Sequence, residues 1–195
     1  MNRKITLIAS FTLVIDQIIK YLFSNVIKGF VLIPNFISFI YAKNDGVAFS
    51  MLSGNRIFII ISTILLLLFL LYMLSKEDKK HLEGFSLTNT AYGLLLGGIL
   101  GNLLDRIIRG YVTDYVSLNI VGYHFPIFNL ADVCITLGVI LLSIHYFKTD
   151  YKRDKWNGFR HFLFYTNMQT WHPGGGIWYY KQVESKHKVF IWKRI

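Results

Sequence analysis

Four apolar runs, each about as long as a bilayer-spanning helix, constrain this chain more than any other feature of its sequence. A helix needs roughly 20 apolar residues to cross the ~30 Å hydrocarbon core of a membrane. The composition agrees, because 53% of the 195 residues are hydrophobic and only 16% are charged, which is more apolar than a soluble domain of this length. The sequence therefore predicts an all-α membrane protein with four transmembrane helices at residues 5–26, 57–74, 85–104 and 128–147.

The basic residues outside these runs predict the orientation of the chain. Of the 21 Lys and Arg residues, fifteen lie before the first run, between the second and third, or after the fourth. Five lie in the other two connections, and Lys20 lies inside the first run. Because Lys and Arg accumulate on the cytoplasmic side of membrane proteins, both termini are expected to be cytoplasmic. Residues 27–56 and 105–127 are then extracytoplasmic. The net charge of +10 is explained by this topology and by attraction to anionic lipid, so no nucleic-acid partner is predicted.

The two extracytoplasmic connections have a composition typical of β-strands and turns. Residues 30–50 are rich in aromatic and β-branched side chains, with Pro34 and the Asp45-Gly46 pair as turn signals. Residues 109–126 are similar. We therefore expect a small β-rich element over the membrane surface. The connection KEDKKHLEG, residues 76–84, is typical of a plain polar connector.

The C-terminal part of the chain differs in kind from the rest. All four tryptophans lie between residues 149 and 195, a basic segment to which the sequence assigns no role. The run HPGGGIWYY, residues 172–180, is compatible with a turn between short strands or with an interfacial segment. The predicted division is a membrane domain over residues 1–148 and a tail over residues 149–195.

Ionisable residues inside the apolar runs are expensive in a bilayer and therefore need an explanation. Asp16 and Lys20 are four residues apart on one helix face, so a mutual ion pair would make both tolerable. Gly97 and Gly101 form a seam of small residues that allows a neighbouring helix to approach closely. Packing does not explain the polar residues that follow this seam, which are Asn102, Asp105 and Arg106.

Two further acids are predicted to meet at the outer membrane boundary. Asp114 follows the third apolar run, and Asp132 lies in the first turn of the fourth, where Asn129 and Asp132 also fit a helix-capping box. Asp114 has a structural alternative as an ion-pair partner of Arg106 or Arg109. Two adjacent carboxylates cannot both ionise cheaply, so such a pair offers a base to water and an acid to a carbonyl. That chemistry is peptide hydrolysis by an aspartyl dyad.

Other chemistries are less well supplied by this sequence. The chain contains neither an H-E-x-x-H nor a G-x-S-x-G motif. A metal site formed by Asp114, Asp132 and His124 is a weaker alternative, and no cofactor or metal is predicted. A small ion- or proton-coupled transporter, with a path along Asp16, Lys20, Asp105 and Arg106, stays open as the second function. A structural subunit would explain the Trp-rich tail but not the paired acids.

The ordered motifs of this chain resemble those of the bacterial lipoprotein signal peptidases, also called type II signal peptidases. The resemblance covers about residues 5–148. It is carried by four stretches in the family's order: DQIIK (16–20), NDGVAFS (44–50), GGILGNLLDRIIRGYVTDY (97–115) and FPIFNLADVCI (125–135).

The resemblance implies a membrane-embedded aspartic endopeptidase of the bacterial cytoplasmic membrane. Such an enzyme removes signal peptides from prolipoproteins, cutting before a Cys that carries diacylglycerol. It implies lipidated prolipoproteins and membrane lipids as partners and a monomeric enzyme. The family's catalytic dyad falls on Asp114 and Asp132. The substrate-binding or supporting positions fall on Asn44, Gly46, Asn102, Arg106, Asn129, Asp16, Lys20 and Asp105.

Overall fold

The computed structural model of the chain describes residues 2–46, 51–83, 86–168, 178–180 and 192–194. The chain forms two compact units, Met1–Lys148 and Thr149–Ile195. The prediction of four helices long and apolar enough to cross a membrane is confirmed. These spans are Arg3–Asn25, Arg56–Lys76, Leu87–Ile108 and Leu130–Thr149.

We number the helices and strands in chain order. The helices are α1 (Arg3–Asn25), α2 (Arg56–Lys76), α3 (Leu87–Ile108) and α4 (Leu130–Met168), and a short 3₁₀ helix, Lys79–Leu82, follows α2. The strands are β1 (Phe30–Ile33), β2 (Ile37–Asn44), β3 (Val112–Ile120), β4 (Tyr123–His124), β5 (Trp178–Tyr180) and β6 (Trp192–Arg194).

Helix α3 is the central helix of the first unit. In its most apolar stretch 72% of the residues are buried, against 28%, 11% and 22% for the other three spans. Most of the apolar side chains of α2 are exposed, as expected for a span whose sides face lipid. The core therefore lies around α3, and most of the remaining apolar surface is available to a bilayer.

Glycines bring the neighbouring helices into close contact with α3. A Cβ added to Gly97 would lie 2.7 Å from the carbonyl oxygen of Ala9 in α1, and one added to Gly98 would lie 2.6 Å from that of Ala131 in α4. At Gly101 the added atom would meet a carboxylate oxygen of Asp16. The predicted close approach along this seam is confirmed, and it packs α1 and α4 closely against the middle of α3.

Both connections predicted to be β-rich contribute to one antiparallel sheet in the order β1-β2-β3-β4. Ala42 of β2 is the register partner of Asp114 in β3. The chain enters β3 directly from α3 through Gly110, whose φ of +87° favours glycine. Helices plus a four-stranded sheet therefore describe the molecule better than the predicted all-α class. We call the end of the bundle that carries this sheet the sheet end.

Two helices extend well beyond their predicted C-terminal ends, whereas the other boundaries agree to within two residues. Helix α3 continues to Ile108, so Asp105 and Arg106 belong to the helix rather than to the following connection. The reason is local, because the backbone N–H of Arg109 bonds to the carbonyl of Asp105 and closes the last turn. Helix α4 continues past residue 147 to Met168, since the polar residues that follow include good helix formers and contain no proline.

Parts of two predicted segments lie outside the described residues. Residues 47–50 of the segment 30–50 are among them, as are residues 172–177 of the run HPGGGIWYY. The end of that run forms β5, which pairs antiparallel with β6 and agrees with the strand interpretation.

Candidate active site

Asp114 and Asp132 reach the sheet end on different elements. Asp114 is the third residue of β3, and Asp132 lies in the first turn of α4. Asn129 caps α4: its Oδ1 accepts from the backbone N–H of Asp132 at 3.0 Å, and its own N–H donates to Asp132 Oδ2 at 3.1 Å. The predicted capping box is confirmed, and it fixes the Asp132 carboxylate at the beginning of the helix.

Two asparagines connect the two carboxylates. Asn129 Nδ2 donates to Asp114 Oδ1 at 2.6 Å and to Asn102 Oδ1 at 3.2 Å. Asn102 Nδ2 donates to Asp132 Oδ1 at 2.8 Å. A single residue, Asn129, therefore holds Asp114 with its side chain and Asp132 with its backbone, so the two acids share one polar site.

The two acids differ in their exposure to solvent. Asp114 is 2% exposed, whereas Asp132 is partly accessible. The pKa of Asp114 is raised to about 6, chiefly because burial removes the carboxylate from water. A hydrogen bond from Asn44 Nδ2 to Asp114 Oδ2, 2.9 Å long, lowers this pKa, and the negative charge of Asp132 raises it. Asp114 is thus poised to gain or lose a proton near neutral pH.

The structure does not show the alternative ion pair of Asp114 with Arg106 or Arg109. Within the described residues Asp114 makes no ion pair, and Arg109 instead contacts Asp105, with Nη1 3.2 Å from Oδ1. Arg106 donates from Nη2 to the carbonyl of Gly46 at 2.8 Å and from Nη1 to that of Asn102 at 3.4 Å. Arg106 and Arg109 therefore contact other groups, and the Asp114 carboxylate accepts from the side-chain amides of Asn44 and Asn129.

The pairing predicted for Asp16 and Lys20 is confirmed, with a third member. Lys20 Nζ lies 2.9 Å from Asp16 Oδ2 and 3.4 Å from Asp105 Oδ2, and all three side chains are fully buried. We call these three residues the Lys20 triad. Lys20 also donates to Asn102 Oδ1 at 2.8 Å. Because that amide oxygen faces a cation, the NH₂ group of Asn102 is the end that faces Asp132.

Each acid of the Lys20 triad also holds the backbone beside one acid of the pair. Asp16 Oδ1 accepts from the N–H of Ala131, the residue before Asp132, at 3.0 Å. Asp105 Oδ2 accepts from the N–H of Thr113, the residue before Asp114, at 3.0 Å. The triad therefore anchors α4 and β3 to α1 and α3 at the two positions where the pair is attached.

The chain after β2 closes over the same site. Asn44 Oδ1 accepts from the backbone N–H of Gly46 at 3.0 Å, while its Nδ2 contacts Asp114. Arg106 donates a hydrogen bond to the carbonyl of Gly46. All ten residues that the sequence assigns to the site are therefore brought into one network at the sheet end.

Sequence reasoning missed two residues that support this network. The hydroxyl of Tyr115 accepts from the N–H of Leu130, at 3.0 Å, and its ring stacks on Phe23 with the centroids 4.5 Å apart. Arg56 donates to the carbonyls of Arg106 and Ile107 at the end of α3. No sequence signal distinguishes these side chains from ordinary packing and surface residues.

The weaker alternative of a metal site at the pair is not favoured by the structure. His124 is exposed on the short strand β4. Among the described residues, the three side chains with the spacing of metal ligands do not include Asp114, Asp132 or His124. The polar partners of the two acids are amide groups instead.

Known proteins are similar to this chain in sequence and in architecture. A family model described as signal peptidase (SPase) II matches residues 8–148. A lipoprotein signal peptidase of Staphylococcus aureus is 41% identical over 153 residues, covering 76% of this chain and 91% of the relative. The same enzyme of the strain JH9 is 40% identical over the same shares.

Two solved structures of bacterial membrane enzymes, both determined by the in meso method, have the same fold. The 2.3 Å structure has a TM-score of 0.65 and 39% identity, covering 73% of this chain and 86% of that chain. The 1.9 Å structure has a TM-score of 0.63 and 40% identity, covering 72% and 90%. The family model spans the α1–α4 region that holds the whole polar network, and this chain accordingly belongs to the signal peptidase II family.

Proposed function

We propose that this chain is a membrane-embedded aspartic endopeptidase that removes the signal peptides of diacylglyceryl-modified prolipoproteins, cutting just before the lipidated Cys. Its curated relatives are lipoprotein signal peptidases. The single observation that carries the mechanism is the position of Asn129, which contacts Asp114 with its side-chain amide and Asp132 with its backbone.

The proposed reaction uses the one proton that two adjacent carboxyl groups share. The ionised member removes a proton from a water molecule, whose oxygen attacks the scissile carbonyl carbon. The protonated member donates to the carbonyl oxygen. When the tetrahedral intermediate collapses, the C–N bond breaks and the amine of the lipidated Cys takes the proton that the first carboxyl group removed from water. The other carboxylate takes back the proton that it gave to the carbonyl oxygen. The pKa of Asp114, near 6, supports a singly protonated pair.

The remaining site residues have supporting roles in this proposal. Asn102 and Asn129 orient the two carboxylates, and the Lys20 triad holds the backbone next to each of them. Asn44 and Gly46, held by Arg106, form the edge that contacts the substrate peptide. A preorganised polar frame of this kind keeps the reacting groups in place without rearrangement during the reaction.

The exposed apolar faces support a substrate that arrives through the bilayer. The side chains of α2 are mostly exposed and apolar, so acyl chains can stay in hydrocarbon while the peptide reaches the sheet end. With the basic residues cytoplasmic, both termini lie in the cytoplasm and the sheet end lies at the extracytoplasmic boundary of a multi-pass protein of the bacterial cytoplasmic membrane.

The proposed catalytic unit is residues 1–148, acting as a monomer without a cofactor in the reaction. All residues of the network lie within it. The role of residues 149–195 is left unassigned. The transporter alternative fits less well, because Asp16, Lys20 and Asp105 contact one another at one depth instead of being distributed across the span.

The test is cleavage of a lipidated model precursor by the purified full-length protein, with products identified by mass spectrometry. We expect cleavage before the modified Cys, and we expect Asp114→Asn and Asp132→Asn each to abolish it while the protein stays folded. Asp78→Asn, which changes an exposed acid after α2, is the matched control and keeps activity. Substantial turnover by either dyad variant would overturn the proposal.

A further inference from the structure

A second polar cluster lies at the end of the bundle opposite the sheet. It consists of Glu77, directly after α2, His81 in the 3₁₀ helix and His145 in α4, and we call it the Glu77 cluster. Glu77 Oε1 lies 2.8 Å from His81 Nδ1 and 3.1 Å from His145 Nε2. The Glu77 side chain is 6% exposed and that of His145 is 11% exposed.

These three side chains match the ligand set of a zinc site. Zn²⁺ binds imidazole nitrogen and carboxylate oxygen at about 2.0–2.2 Å, which places ligand atoms roughly 3.3 Å apart in a tetrahedral site. One ligand atom from each residue lies within 4.8 Å of the others. Side-chain shifts of about 1 Å would therefore close the three donors on one ion and leave a fourth position for water.

The outer contacts of these ligands favour the same interpretation. Glu77 Oε2 accepts from the hydroxyl of Tyr146 at 3.0 Å, which leaves Oε1 to face the imidazoles. His145 Nδ1 lies 3.2 Å from Thr88 Oγ1, and a proton on Nδ1 would place the lone pair of Nε2 toward the cluster. Metal-binding histidines are characteristically held in this way through the second ring nitrogen.

We propose that Glu77, His81 and His145 bind one Zn²⁺ ion that links the end of α2 and the following 3₁₀ helix to α4. The site is separate from the proposed dyad, because Thr88 and Asn102 lie fourteen residues apart along α3, about 21 Å. The sequence predicts no metal, and it treats residues 76–84 as a plain connector. The proposal is independent of the peptidase mechanism.

The test uses the full-length protein without an affinity tag, treated with a chelator and titrated with ZnCl₂ by calorimetry. We expect one Zn²⁺ per chain with a Kd of about 1 µM or tighter, and weakening by at least about tenfold in His81→Ala and in His145→Ala. Two controls keep the wild-type Kd: His124→Ala, and a variant in which the tail histidines at 161, 172 and 187 are all replaced by Ala.

A second measurement on the wild-type protein does not depend on any variant folding. X-ray absorption at the zinc edge should show nitrogen and oxygen neighbours with the signature of two imidazoles. Zinc should also raise the thermal unfolding midpoint of the wild type. It should not raise the midpoint of His81→Ala or of His145→Ala. The proposal is overturned if the wild type binds no zinc up to about 100 µM, if sulfur is a ligand, or if the tail variant loses binding.

Discussion

The two polar clusters at opposite ends of α3 are built by different rules. At the sheet end, Asp114 and Asp132 are attached to separate elements and contact neutral amides of Asn102 and Asn129. At the other end, the single carboxylate of Glu77 lies between two imidazoles. The first arrangement joins two acids through neutral hydrogen-bond donors, whereas the second gives its one acid two imidazole partners.

This difference shows why burial alone does not identify a reactive site. The Glu77 side chain is only 6% exposed, yet its neighbours are two imidazoles and a tyrosine hydroxyl. Cations are present at the sheet end too, but Lys20 contacts Asp16 and Asp105 rather than the proposed dyad. Arg106 donates to backbone carbonyls instead, so the direct hydrogen-bond partners of the proposed pair are amide groups.

The largest expected effect comes from changing one carboxylate to an amide in each of the two polar clusters. Asp132→Asn should lower kcat/KM for a lipidated precursor by about 10³-fold or more, in the range that loss of a general acid or base produces. Glu77→Gln should keep kcat/KM within about twofold of the wild-type value, because Glu77 lies far from the reacting groups. Cleavage rates of both purified variants, measured side by side, check this.

A large loss of activity in Glu77→Gln would contradict the separation of the two clusters. Thermal unfolding of both variants provides the control, since an inactive protein that is also unfolded carries no information about chemistry. We expect Glu77→Gln to unfold at a lower temperature than the wild type, because Gln lacks one of the two carboxylate oxygens that contact His81, His145 and Tyr146.

The second prediction concerns the buried cation of the sheet end. Lys20→Met leaves Asp16 and Asp105 buried without their common partner, so it should destabilise the fold by about 3–5 kcal/mol. Combining it with Asp16→Asn should restore part of that loss, because one buried charge is then removed. Unfolding in detergent, followed by circular dichroism, measures both variants. Equal stabilities of the single and double variants would show that the charges are not coupled.

Much of the sheet end was predictable because its residues have recognisable sequence patterns. Apolar runs of the right length predict the spans, and charged residues within them are too expensive to be incidental. The spacing of Asp16 and Lys20 predicts their pairing, and Asn129 with Asp132 predicts a capping box; the structure confirms both. The catalytic role of the dyad stays a prediction.

The rest depends on contacts between residues distant in sequence. That both outer connections share one sheet follows from the pairing of β2 with β3, which no local pattern specifies. The Glu77 cluster joins residues 68 positions apart, and a short polar connector gives no sign of a partner on α4. Similarly, the role of Asp105 in holding the backbone of Thr113 is visible only once β3 is in place.

A matched pair of glycine substitutions tests how far the dyad depends on helix packing. In Gly98→Ala the new Cβ would lie 2.6 Å from the carbonyl oxygen of Ala131, and in Gly138→Ala it would meet Leu95 and the carbonyl of Ala91. Both push α3 and α4 apart, so each should cost about 1–3 kcal/mol of stability. Gly98→Ala should also lower kcat by about 10²-fold, because it displaces the residue before Asp132.

The comparison of activity with stability separates the two glycine variants. Gly138→Ala changes the same helix pair farther from the dyad, so its kcat should fall much less than that of Gly98→Ala for a similar shift in unfolding temperature. If both variants lose kcat in proportion to their stability, packing near Asp132 has no special role in catalysis.

The smallest effect is a shift in the pH profile of cleavage. In the proposed pair Asp114 keeps its proton up to about its pKa, near 6, and loses it above that pH, so kcat/KM should fall on the alkaline side. The hydrogen bond from Asn44 favours the ionised carboxylate and lowers this pKa. Asn44→Ala removes that bond, and the pKa rises.

The alkaline limb of Asn44→Ala should therefore move to higher pH by about one unit, since one hydrogen bond to a charged group contributes roughly 1.5 kcal/mol and one pKa unit corresponds to about 1.4 kcal/mol. Rates measured from about pH 5 to about pH 9 check this. Glu77→Gln, at the other cluster, should keep the wild-type profile. A limb that stays in place or moves to lower pH in Asn44→Ala would mean that another group controls the decline, because removing a donor from a carboxylate can only favour its protonated form.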